Sequence, residues 1–185
     1  MSLGLIIVLA VVGGIIFYLI ATYNSLVGLR VRSDSSWSDI DVQLKRRHDL
    51  IPNLVETVKG YASHEKGTFE NIAKYRSMAM QATTPAERGQ AEGQLTQALK
   101  SLFAVAENYP ELRASEQFSS LQASLGELES TIQEARRYYN AVVRDYNTKL
   151  QSFPTNIIGN MFGFQQKQFF QLETPAERAP VAVKF

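Results

Sequence analysis

From Met1 to Leu29 the chain carries no charged side chain; Arg30 is the first. Within that stretch Leu3 to Ala21 reads LGLIIVLAVVGGIIFYLIA, 19 residues of almost unbroken apolar character. A helix of that length rises about 28 Å, close to the hydrocarbon thickness of a bilayer. A helix buried in a soluble core normally keeps a polar face, and this run has none. A cleaved signal peptide needs a basic start and a small-residue cleavage site. Here no Lys or Arg precedes the run, and its end, Tyr18-Leu19-Ile20-Ala21-Thr22-Tyr23, is a poor match. The run reads as a retained transmembrane anchor, with Tyr18 and Tyr23 suited to the aromatic belt at one interface. Ala10 and Gly14 stand four apart on one face, a spacing that lets two such anchors pack closely.

The flanks suggest an orientation. Only the α-amino group precedes the anchor, whereas Arg30, Arg32, Lys45, Arg46 and Arg47 follow it, with Asp34, Asp39 and Asp41 among them. The positive-inside rule places residues 30–185 in the cytoplasm and a very short N-terminus outside; a periplasmic bundle is the alternative. The whole chain is close to neutral, with 19 Lys+Arg against 18 Asp+Glu, which argues against nucleic acid as a partner. It has no cysteine, which excludes a disulfide scaffold, a thiol enzyme, a zinc ribbon and a lipid-modified N-terminal cysteine.

Beyond the anchor the apolar period is helical throughout. Trp37, Ile40, Leu44, Ile51, Leu54, Val58 and Tyr61 recur at three- and four-residue steps, continuing through Phe69, Ile72 and Met80. Pro52 removes a backbone donor and crowds the carbonyl four residues back, which predicts a kink or break near His48–Leu50. Gly60 and Gly67 are further weak points. Thr83-Thr84-Pro85-Ala86-Glu87 is a helix start, with a Thr cap, proline in the first turn and an acid near the positive helix end. That helix, with Leu95, Leu99, Leu102 and Val105 on one side, stops before Pro110, and residues 108–114 read as a loop. Phe118, Leu121, Leu125, Leu128, Ile132, Ala135, Tyr139, Val142 and Tyr146 then alternate steps of three and four, a long heptad seam from Glu116 to Leu150. A parallel coiled-coil dimer would satisfy that seam, but two other amphipathic helices need partners, which favours an antiparallel all-α bundle within the chain.

After Phe153-Pro154 the character changes, and six of the ten phenylalanines fall within residues 153–185. Phe162, Phe164, Phe169 and Phe170 either pack back on the bundle or meet a membrane surface or a neighbouring subunit. The chain thus divides into an anchor over 1–29, a bundle over 30–153 and a Phe-rich segment over 154–185.

Catalytic and cofactor patterns are missing. His64-Glu65 would begin a zinc helix only if position 68 were histidine, and it is Thr68. There is no phosphate loop, dinucleotide fingerprint or nucleophile elbow, so no catalytic residue, metal ligand or cofactor is expected. His48, amid Lys45, Arg46 and Arg47, reads as a solvated histidine, and those bases as partners for acids on the long helix such as Glu134 or Asp145. Polar groups at apolar seams mark interaction candidates: Pro52 with Asn53, Arg136, Arg137, Tyr139 and Asn140, and Tyr146 with Asn147. Buried, they must be hydrogen-bonded, either as a network fixing helix register or as a ligand pocket.

The run from Leu44 to Tyr61 (LKRRHDLIPNLVETVKGY) strongly resembles the signature of the LemA family. So do Ala135-Arg136-Arg137-Tyr138-Tyr139-Asn140 with Tyr146-Asn147, Phe153-Pro154 leading to Phe162-Gly163-Phe164, and the apolar helix followed by Tyr23-Asn24-Ser25-Leu26-Val27. The likeness covers residues 5–172 in order; Thr174 to Phe185 look peculiar to this chain. It implies a bacterial, single-pass inner-membrane protein with an elongated antiparallel helical bundle. It supplies no catalytic residues. LemA-like proteins are associated with HtpX-type membrane metalloproteases and other envelope proteins, and a relative with magnetosome membranes. The expected role is a self-associating scaffold or adaptor at the bilayer, with a small-ligand sensor or protease accessory factor as the alternative.

Overall fold

The computed structural model describes residues 2–171; the remainder of the Phe-rich segment, Phe185 included, lies outside the described residues. Six helices follow in order: α1 (Leu3–Lys59), α2 (Lys66–Gln81), α3 (Pro85–Ala106), α4 (Pro110–Arg113), α5 (Glu116–Gln151) and α6 (Thr155–Met161). There is no strand among the described residues, and the all-α expectation holds. The start of α3 forms as its sequence dictates. Thr84 Oγ1 accepts from the Glu87 amide at 3.2 Å and Glu87 Oε2 accepts from the Thr84 amide at 3.1 Å, a reciprocal capping box. Those bonds, that of the Thr84 backbone foremost, hold the Glu87 carboxyl below its ordinary range. Residues 108–114 are not a plain loop, because Pro110 at a first helical position starts the single turn of α4.

The described residues form two compact units, residues 2–38 with 138–167, and residues 39–137 with 168–171. The first unit contains the start of α1, the end of α5, α6 and an extended stretch. Residues 3–18 of α1 are exposed along their whole length, and the helix is long and apolar enough to cross a membrane. Past it the stripe of α1 packs inward. Leu26 joins Tyr146, Leu150 and Phe164 in a small core, and Trp37 lies 5.4 Å from the Tyr139 ring. After α6 the chain turns at Gly163, whose φ of +69° is open to glycine at no steric cost.

The second unit has a larger core. Ile51, Leu54 and Val58 of α1, Ile72 of α2, Leu95 and Leu102 of α3, Leu112 of α4, and Phe118 and Leu125 of α5 are buried together. These are the three- and four-step positions of the sequence, so the predicted stripes do face one another. Gly89 lets backbone approach α3 closely: a Cβ there would sit 2.1 Å from the Gln171 carbonyl oxygen. Phe170, beside Gln171, is fully buried.

Of the kink or break expected near His48–Leu50, the break does not occur; α1 continues through Pro52 to Lys59. Proline at 52 leaves the His48 carbonyl, four residues back, without its helical donor. Arg76 of α2 replaces that donor, its Nε–H donating to the His48 oxygen at 2.9 Å. The helix survives because a neighbour satisfies the orphaned acceptor, a long-range event that local pattern does not encode. Replacing Arg76 by Leu should cost about 1 kcal/mol, the lower end of the penalty for a stranded acceptor because this one is only partly buried. In a Pro52→Ala background the restored amide supplies the bond, and the same change should cost far less. Chemical denaturation of the four proteins of this cycle measures the difference, and equal costs in both backgrounds would contradict the account.

Candidate functional site

Three positions of α1 lie on its inward face or beside it, Leu44 and then Arg47 and His48, spaced as the apolar stripe is spaced. Arg47 and His48 are 3 % and 6 % exposed. His48 is therefore not the solvated histidine its basic neighbours suggested. The reason is Glu92 of α3, whose side chain is fully buried. A carboxylate taken out of water needs partners for both oxygens. Arg47 Nη1 meets Oε2 at 3.2 Å and His48 Nε2 meets Oε1 at 2.6 Å. With Glu92 ionised, the His48 Nε2–H is the donor. The other Arg47 nitrogen donates to Thr96 Oγ1 at 2.7 Å and pairs with Glu129 of α5 at 3.3 Å. The acid that Arg47 meets on the long helix is Glu129, not Glu134 or Asp145. Arg88 of α3 forms a second ion pair with Asp41 of α1.

Glu92 was missed in the sequence, although a signal exists. It stands three residues before Leu95, on the stripe that Leu95, Leu99 and Leu102 continue, and an acid on an apolar stripe calls for a buried base.

The first unit holds a second polar cluster. The Tyr139 phenol is pushed up to about 12, chiefly by burial and further by the charge of Asp34. Tyr146 is also raised, by burial first. Its hydroxyl donates to the Gln165 carbonyl at 2.9 Å. Asn147 grips the same extended stretch with both ends of its amide. Nδ2 donates to the Lys167 carbonyl and Oδ1 accepts from the Lys167 amide, each at 2.9 Å. Lys167 in turn forms an ion pair with Asp34. Nearer the anchor, Tyr23 meets the rings of Phe162 and Phe164 edge-on at 4.9 and 5.6 Å. The Arg30 guanidinium lies 5.2 Å from the Phe164 centroid.

The structure thus sorts the sequence candidates. Tyr139, Tyr146, Asn147, Phe164 and Phe170 are buried. Arg136 and Asn140 are half-buried, while Arg137 and Phe169 are exposed. Phe162 is exposed beyond its contact with Tyr23. Pro52 and Asn53 face outward, and the Asn53 carbonyl accepts from the Thr57 hydroxyl at 2.8 Å within the same helix. The network expected around Asn53 forms instead one turn earlier, at Arg47 and His48. No group of three or more His, Asp or Glu side chains able to hold a metal exists among the described residues.

Tyr139 makes the fold pH-sensitive only in alkali. Below pH 10 the phenol is neutral in folded and unfolded chains, and its contribution is intact. Between pH 10 and about 12 the unfolded chain ionises first, so stability falls as pH rises through that window. Denaturation across the window should show a steeper loss for the parent protein than for Tyr139→Phe, and tyrosinate absorbance should lose its last step in the variant.

Comparison with known proteins accords with this architecture. A profile described as the LemA family matches residues 36–185. Magnetosome protein MamQ 2 of Paramagnetospirillum magneticum is 28% identical over 206 residues, spanning 97% of this chain and 75% of that protein. Magnetosome protein MamQ of Magnetospirillum gryphiswaldense is 24% identical, over 88% of this chain and 69% of its own length. Protein LemA of Metamycoplasma hominis is 25% identical, over 86% of this chain and 74% of its own. With a long apolar N-terminal helix, packed helices beyond it and a family match over most of its length, the chain is a membrane-associated helical protein that belongs to the LemA family.

Proposed function

We propose that the chain is a non-catalytic, membrane-tethered scaffold of the bacterial cell envelope that associates with its own copies and presents its helices to other envelope proteins. The observation that carries this reading is how the interior polar groups are used. Glu92 commits both oxygens to Arg47 and His48, and Asn147 commits both ends of its amide to the Lys167 backbone. These residues hold helices and chain in place, and such bonding leaves the buried Glu92–His48 pair occupied by structure. The apolar length of α1 supports the tether. The bases at Arg30 and Arg32 support a cytoplasmic bundle, since they follow the anchor closely. Ala10 and Gly14 support close pairing of anchors.

Amine-reactive crosslinking in native membranes should trap dimers or larger species of the full-length chain, with envelope proteins recovered alongside. Monomers alone, with nothing recovered in gentle detergent, would refute the scaffold. A reporter fused after residue 185 should be active in the cytoplasm, and activity in the periplasm would reverse the orientation.

A second reading, a small-ligand sensor, is favoured by one feature at a place the sequence did not suggest. Between α2 and α3 lies an open cavity of about 330 Å³, lined by Thr68, Asn71, Tyr75, Gln94, Gln97 and Ser101 among others. The buried Gln94 Oε1 at its wall has no hydrogen-bond partner among the described residues. On this reading a neutral polar ligand raises the melting temperature of the parent protein, and Gln94→Leu abolishes the rise. A screen of such ligands that shifts neither protein would leave the scaffold alone.

A further inference from the structure

The short helix α6 has two unlike faces. Thr155, Ile158 and Gly159 are buried. Ile157 and Met161, one turn apart, are 59 % and 64 % exposed, and they are flanked by Phe153 at 81 % and Phe162 at 54 %. Single exposed apolar residues are ordinary on a soluble surface, but a contiguous set marks an interface. The surrounding sequence is equally unusual for a solvated segment. From Leu150 to Gln166 there is no charged side chain, a second charge-free run in the same unit as the first.

The position of this face identifies what covers it. Phe162 packs edge-on against Tyr23 at 4.9 Å. Tyr23 lies two residues beyond the end of the apolar run at Ala21, about 3 Å along the helix axis. Lys149, in the last turn of α5, reaches the Ser25 hydroxyl, half a turn further on. Phe162, at the end of α6 and next to Met161, is therefore level with the end of the anchor, where hydrocarbon gives way to lipid headgroups. Aromatic and aliphatic side chains are stable at that boundary, and flanking cations such as Lys149 and Arg30 suit the headgroup layer above it.

We propose that α6, with Phe153 and Phe162 at its ends, is an interfacial foot inserted into the surface of the lipid bilayer beside the anchor. This rests on the reading of residues 3–21 as a membrane span. The partner is lipid because the face sits where the span leaves the bilayer and because its segment lacks charge. Burial of these side chains in the acyl boundary removes from water the apolar area that the fold leaves bare.

The absence of cysteine makes the test direct, since single cysteines can be introduced into the full-length chain and spin-labelled without removing any native thiol. The variants are Ile157→Cys and Met161→Cys, with Phe17→Cys in the anchor and Ser130→Cys on the exposed side of α5. Each is reconstituted in vesicles of neutral and anionic phospholipid, and accessibility to oxygen and to a water-soluble nickel chelate is read by power saturation. The proposal expects the oxygen-to-nickel ratio at 157 and 161 to exceed that at 130 several-fold, and to fall below that at 17. A ratio at 157 and 161 equal to that at 130 overturns the foot while the anchor stands. Labels at 157 and 161 shielded from both reagents also overturn it, because a second copy or another protein then covers the face. A nickel-accessible label at 17 refutes the anchor itself, and with it both readings.

Discussion

A fully buried carboxylate is the constraint around which the second unit is organised. Glu92 cannot lose its water without replacements, because an ion left unpaired in the interior costs several kcal/mol. Its two oxygens are met by Arg47 and His48, adjacent residues of one helix, and Arg47 reaches on to Thr96 and Glu129. In the observed register the acid, the two bases and Glu129 meet, so a slip of α1 against α3 would leave a buried charge without its partners.

The same stretch of α1 also lacks one helical hydrogen bond. Pro52 removes the donor owed to the His48 carbonyl, and Arg76 from α2 supplies another. Side chain and backbone of His48 are thus held by different helices, the imidazole by α3 and the carbonyl by α2. The segment from Arg47 to Pro52 gathers contacts from α2, α3 and α5 within the length of about one and a half turns. That concentration gives a physical reason for the dense polar pattern of RRHDLIPN, which on its face looked like a solvated basic patch followed by a helix break.

Much of this was legible in the order of residues and some was not. The stripe through Phe118, Leu125, Ile132, Tyr139 and Tyr146 became the buried side of α5, since a three-four period has one solution on a helix. Thr84 and Glu87 built the capping box for an equally local reason. The misread positions share a different property: their environment is set by partners far along the chain. Pro52 stayed helical because of a side chain 24 residues later, and His48 was buried because of an acid 44 residues later. Asn53, read as a polar group in a seam, lies on the outer side of α1, off the stripe of Ile51, Leu54 and Val58. The phenylalanines split because a segment with little helical order has no period to read. Phe164 and Phe170 went inward, while Phe162 and Phe169 remained exposed.

Asn147 carries a consequence of another kind. It holds the returning chain through the amide and carbonyl of Lys167, groups that almost every amino acid possesses. The grip reads the main chain and ignores what is attached to it. Substitutions at Gln165 and Gln166 therefore pass without disturbing the attachment, whereas proline at 167 would break it by removing the amide. The attachment itself thus constrains residue 147 and the backbone at 167, while side chains of the stretch answer to their own contacts, Phe164 in the small core and Lys167 with Asp34.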